Sequence, residues 1–235
     1  MPADKPYLPT GAASRDGDIR AFVEAARGLG PMRAGEGGRL AFALDATASR
    51  QPTWDLACAL QAEMFAAAAG LGGLKVQLVY YRGAHECRSS PYVSDAAALS
   101  RLMGQITCQG GRTQISRVLR HLEAEAERSS LKAAVFVGDA MEEEAEALLT
   151  AAGRLGVLGV RLFVFQEGDD PQVKRTFREM ARLTGGAWCR FDARAAEELR
   201  ALLRAVATYA AGGRAALAAS VDAGARRLIA AMGSG

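Results

Sequence analysis

Asp45, Thr47 and Ser49 stand at alternate positions in the segment Asp45-Ala46-Thr47-Ala48-Ser49. Their carboxylate and hydroxyl oxygens are hard ligands, of the kind that Mg²⁺, Mn²⁺ or Ca²⁺ prefers. On its own such a segment is equally a turn or a helix cap, where the same residue types satisfy backbone groups. Two further positions change its weight. Thr113 follows Gly110-Gly111-Arg112 and opens a helical pattern, and Asp139 directly follows the apolar run Ala133–Gly138. Together the three segments supply two carboxylates and three hydroxyls. Two carboxylates roughly neutralise a divalent cation, whereas hydroxyls donate weakly and carry no charge. A cation so held stays electrophilic and takes a further hard ligand, such as a partner's carboxylate. That suits reversible binding better than a closed structural site.

These residues have to be positioned by regular elements. Leu40–Leu44 reads as a buried strand, followed by a helix over Thr53–Ala69 and a Val- and Tyr-rich strand over Leu74–Tyr81. Glu86–Arg88 reads as a short edge strand. Helices follow over Asp95–Ile106 and Thr113–Arg128, then a strand at Ala133–Val137 and a helix at Glu142–Leu155. The chain continues as a strand at Arg161–Phe165, a helix at Pro171–Leu183, a strand at Ala187–Phe191 and a helix at Ala195–Ala211. The strands are apolar throughout rather than alternating, as burial on both faces requires. Strands and helices in alternation predict an α/β fold, a largely parallel sheet with helices on both faces. Ligands of such sheets bind beyond the C-terminal strand ends, where Asp45 and Asp139 fall.

The flanks differ from this middle. Residues 1–37 read as an arm with a short helix at Asp18–Leu29, and residues 38–211 as the domain. In 212–235, Leu217, Val221, Ala225, Leu228 and Met232 form a stripe at helical spacing. This predicts one amphipathic helix, folded back on its own domain in preference to docking on a partner.

Composition narrows the function. The net charge is +3 over 235 residues, with cations and carboxylates interspersed, which argues against a nucleic-acid partner. Cys58, Cys87, Cys108 and Cys189 are far apart with no CxxC spacing, so neither a zinc site nor a disulfide framework is expected. No apolar signal core and no membrane-length apolar run is evident, so the expected location is the cytoplasm, without membrane association.

The chain resembles the von Willebrand factor A domain family. That resemblance rests on DATAS at 45–49, Thr113 in GGRTQISRVL and Asp139 in VFVGDAMEE. FVFQEG at 163–168 and LTGGAWCRF at 183–191 fit the family's segment order. The family's metal-ion-dependent adhesion site uses Asp-x-Ser-x-Ser or Asp-x-Thr-x-Ser, a Thr after a Gly-rich loop and an Asp after the central strand. The resemblance thus implies a three-layer α/β/α Rossmann-like fold. It also implies a divalent cation, Mg²⁺ foremost, on Asp45, Thr47, Ser49, Thr113 and Asp139. One coordination position would be left for the acidic residue of a partner protein, usually without catalysis. By analogy with bacterial relatives, the partner would be an AAA+ ATPase, a chaperone or a stress-response system. Ala48, Arg50 and Ala140 depart from the Gly, Met and Gly commonly seen there. Arg50, His85, Arg112 and Glu142 are expected to form a charged rim around the cation.

Three alternatives compete with this reading. A haloacid dehalogenase-like Mg²⁺-dependent phosphohydrolase would use Asp45 as nucleophile, but needs a second carboxylate where Thr47 stands. A Ser-His-Asp hydrolase finds only His85 and His121, His121 reading as a surface residue, and no G-x-S-x-G elbow. A metal-independent scaffold would use Thr113 and Asp139 as caps and Ser49 in its own turn. Trp54 and Trp188 read as packing residues.

Overall fold

The computed structural model describes residues 37–191 and 196–233. The expected arm over 1–37, except Gly37, lies outside them.

β1 (Gly38–Asp45) is the hub of the sheet. It is followed by α1 (Gln51–Leu60), α2 (Ala62–Ala68), β2 (Leu74–Arg82), β3 (Glu86–Val93) and α3 (Ala96–Gly104). Then come α4 (Ile115–Arg128), β4 (Ala133–Gly138), α5 (Ala145–Val157), β5 (Arg161–Glu167), α6 (Pro171–Thr184) and β6 (Ala187–Phe191). α7 (Ala196–Ala219) and α8 (Ala223–Gly233) close the order. The strands form one sheet in the order β3-β2-β1-β4-β5-β6. All neighbours run parallel except β3, which returns antiparallel to β2.

The alternation of side chains along each strand divides the interior in two. Leu40, Phe42 and Leu44 join Val135, Val137, Phe163 and Phe165 in a core covered by α1, α2, α3, α7 and α8. Ala41 and Ala43 join Val79, Tyr81, Phe136 and Val164 under α4, α5 and α6. This is the layered architecture expected from the apolar runs.

Several boundaries differ from expectation. The helix expected over Thr53–Ala69 begins at Gln51, because a 3₁₀ turn over Ala48–Arg50 feeds it directly, and it divides at the buried Gln61. β3 extends to Val93, its polar Ser-Ser-Pro stretch tolerated at an exposed sheet edge. The tail after Gly212 is not one helix. α7 continues through a break at Gly213 (φ 69°, ψ −168°), and the chain reverses before α8. The reversal resets the helical period, so Val221 is 84 % exposed while Leu217, Ala225 and Leu228 are buried. α8 packs on α7 so closely that a Cβ at Gly224 would stand 2.2 Å from the Ala201 carbonyl oxygen. Arg227 donates to the Arg190 carbonyl on β6. Among the described residues, no helix is long and apolar enough to cross a membrane.

Candidate metal centre

Parallel pairing brings the strand ends together. Asp45 is level with Tyr81 on β2, and Leu44 with Val137 on β4, so Asp139 stands two residues past the last β1–β4 pair. Asp45 is 4 % exposed. It accepts a 2.7 Å hydrogen bond from the Thr47 backbone N–H, which turns the chain and brings Thr47 Oγ1 to 3.5 Å from Ser49 Oγ. Burial raises the Asp45 carboxyl above its ordinary range; hydrogen bonds from Thr47 oppose this, and the nearby Asp139 charge adds to it.

Thr113 reaches the site through a pinned loop. Gln109 N–H donates to the Ala46 carbonyl at 3.0 Å, and Arg112 N–H to the Gly83 carbonyl at 3.1 Å. At Gly111 a Cβ would stand 2.1 Å from the Gly83 carbonyl oxygen, so this approach requires glycine. Gln114 Nε2 adds bonds of 3.1 and 3.2 Å to the Arg82 and Gly83 carbonyls. Thr113 Oγ1 donates to Glu143 Oε2 at 2.6 Å and accepts from the Glu142 backbone N–H at 2.8 Å. The helix expected from Glu142 begins at Ala145, which leaves Glu142 and Glu143 in the loop that closes over Thr113.

The expected rim needs correction at Arg50 and at Glu142. Arg50 is buried at 8 % exposure, not an exposed rim cation. Its Nε lies 3.4 Å from Asp139 Oδ2, its Nη1 bonds Glu167 Oε2, and its Nη2 donates to the Ser49 carbonyl at 3.2 Å. Thr53 Oγ1 also donates to Glu167. Glu142 contributes its backbone, while the carboxylate that turns inward is that of Glu143. His85 and Arg112 are exposed, and the recorded bonds at both are backbone ones. His121, expected at the surface, is half-buried with Nε2 2.9 Å from Gln77 Oε1.

Tyr81 and Glu167 were missed by sequence reasoning, whereas Glu143 belongs to the acidic run after Asp139 that the sequence offers as a charged rim. Tyr81, the penultimate residue of β2, stands beside Asp45, and its buried hydroxyl makes no hydrogen bond of normal geometry among the described residues. Burial, then the charges of Asp45, Glu143 and Asp139, hold Tyr81 well above the usual phenol range. Glu167, the last residue of β5, had a signal in FVFQEG, since it too falls at a C-terminal strand end.

These residues fit a hard divalent cation. Asp45 is a buried carboxylate that accepts from the Thr47 backbone N–H, with converging hydroxyls beside it. A buried charge so placed favours a cation. Asp139 is ion-paired with Arg50 Nε at 3.4 Å without a hydrogen bond of normal geometry, and its side chain remains 27 % exposed. Among the described residues, no three His, Cys, Asp or Glu side chains could hold a metal by themselves, so any cation here depends on hydroxyls. The cysteines are free, and burial pushes Cys58, Cys108 and Cys189 up to about 11, keeping them as thiols near neutral pH.

No family model and no curated protein matches the sequence. Solved structures do match the fold. A von Willebrand factor type A protein from Catenulispora acidiphila is similar at TM-score 0.60 and 17 % identity, over 73 % of this chain and 42 % of that one. The SpRpn10 VWA domain is similar at TM-score 0.54 and 8 % identity, over 66 % of this chain and 88 % of that one. Proximal thread matrix protein 1 from the mussel byssus, with a zinc-occupied MIDAS motif, is similar at TM-score 0.58 and 14 % identity, over 73 % and 46 %. The chain therefore spans less than half of the first and third of these proteins. It has the three-layer α/β/α, Rossmann-like von Willebrand factor A fold.

Proposed function

We propose that this protein is a metal-dependent protein-interaction module and not an enzyme. In this reading Asp45, Thr47, Ser49, Thr113 and Asp139 hold a divalent cation. Mg²⁺ is the first choice by ligand hardness, with Mn²⁺ and Ca²⁺ as alternatives. When bound, the cation supplies an electrophilic position that a partner's carboxylate completes. The observation that carries the reading is the buried Asp45 carboxylate, which bonds no cationic side chain among the described residues and stands beside two converging hydroxyls.

The chain's own residues have defined parts. Thr47 N–H orients Asp45, and the glycine approach at 111 sets Thr113. Thr113 must release Glu143 to offer its oxygen fully to a cation. Arg50 holds Asp139 and Glu167 together and reduces the local excess of negative charge. Thr47 places a hydroxyl where a phosphohydrolase of the haloacid dehalogenase type needs an acid, which disfavours catalysis through Asp45. An AAA+ ATPase, chaperone or stress-response component is the kind of partner proposed, by analogy alone.

Isothermal titration with Mg²⁺ and Mn²⁺ tests the metal, followed by partner capture with and without chelator. Wild-type protein is expected to show saturable heat that Asp45→Ala and Thr113→Ala abolish, and chelator is expected to release the partner. Absence of saturable binding, or an identical set of partners after chelation, would overturn the reading.

A further inference from the structure

A second charged feature stands at the opposite end of the sheet. A cavity of about 620 Å³ opens between α6 and α8, beside the start of β6. Its lining includes Arg175, Arg178, Arg182 and Trp188, with Ala231 and Met232 forming an apolar wall. It is bounded by Gly185–Trp188, at the N-terminal end of β6, whereas the metal centre stands beyond C-terminal strand ends.

The cations of this groove are incompletely neutralised. Arg182 pairs with Glu179, its Nε donating at 2.8 Å. Arg175 and Arg178 are exposed and form no ion pair among the described residues, and neither does Lys174, which lies outside the lining. Lys174 Nζ and Arg178 Cζ stand 5.6 and 5.5 Å from the Trp188 ring centroid. The ring is fixed by its indole N–H, which donates to Gln166 Oε1 at 3.0 Å. Two cations are thereby held over a half-buried aromatic, which limits the rotamer freedom they would lose on binding an anion.

We propose that this groove between α6 and α8 binds an acidic peptide segment of a partner protein, independently of the metal centre. Guanidinium forks match carboxylates bidentately, and the Ala231–Met232 wall accepts the apolar side chains between them. Nucleic acid fits less well. Base stacking needs an open aromatic face, whereas cations stand over the Trp188 ring, and the net charge of the chain is only +3.

The test is fluorescence anisotropy of a short labelled peptide of alternating Glu and Leu, with chelator present throughout. Arg175→Glu/Arg178→Glu is expected to weaken binding by at least roughly tenfold, as charge reversal at a complementary surface does. Arg101→Glu, at an exposed cation on α3, controls for charge reversal outside the groove and is expected to leave binding unchanged. Added salt is expected to weaken the wild-type complex. The proposal is overturned if the double variant binds as wild type, if Arg101→Glu weakens binding equally, or if no binding occurs at low salt. A single-stranded oligonucleotide that binds this groove more tightly than the peptide also overturns it.

Discussion

Asp45 carries much of the argument at the scale of single residues. A carboxylate with 4 % exposure, whose pKa is raised chiefly by burial, holds its proton to higher pH in the folded protein than in the unfolded chain. Its folded value lies above its unfolded one. Ionised Asp45 therefore detracts from stability near neutral pH, and this cost fades as pH falls through the folded value. Asp45→Asn is expected to raise the Tm of the metal-free protein by roughly 2–4 °C, as about 1 kcal/mol does at this chain length. The same variant should lose any Mg²⁺-induced rise in Tm; differential scanning fluorimetry with and without Mg²⁺ reads both effects. Arg50 shows what one residue type cannot reveal by itself. Its charge near the site followed from adjacency in sequence, but its burial against Asp139 and Glu167 depends on residues far along the chain.

Among the elements, the loop from Gln109 to Thr113 places its threonine by contact with the turn after β2. Gly111→Ala would drive a Cβ into the Gly83 carbonyl, a backbone clash that no rotamer change relieves. The expected outcome is a stability loss of about 1–3 kcal/mol by denaturant titration. Displacement of Thr113 should also weaken Mg²⁺ binding by titration calorimetry by at least roughly tenfold, about 1.4 kcal/mol. An unchanged affinity would mean that Thr113 is not positioned by this approach. The double glycine was visible in the sequence, and so was the helix after it. The closing of Glu142 and Glu143 over Thr113 was not, because a helix start shifted by three residues converts a surface turn into loop.

Across the whole molecule, the sheet sets β1 and β4 side by side at its centre and leaves β6 at an edge against which α8 lies. Leu228 fixes that helix in the same core as α7. Leu228→Ala is expected to cost about 2–5 kcal/mol by denaturant unfolding. It should also speed proteolysis near 220–222, and equal cleavage of variant and wild type would show that α8 is held by other contacts. The apolar runs, their alternation with helical segments and the Asp45–Thr47–Ser49 spacing are local properties, and the sequence by itself determined the layered α/β class from them. It also determined which residues leave the strands with hard oxygens, since side-chain parity along a strand is local. Only the tertiary structure decided that Arg50 is buried, that Glu143 rather than Glu142 faces Thr113, and that the tail reverses after α7. Those outcomes depend on strand order and close backbone approach between distant segments, and no periodicity within one segment encodes them.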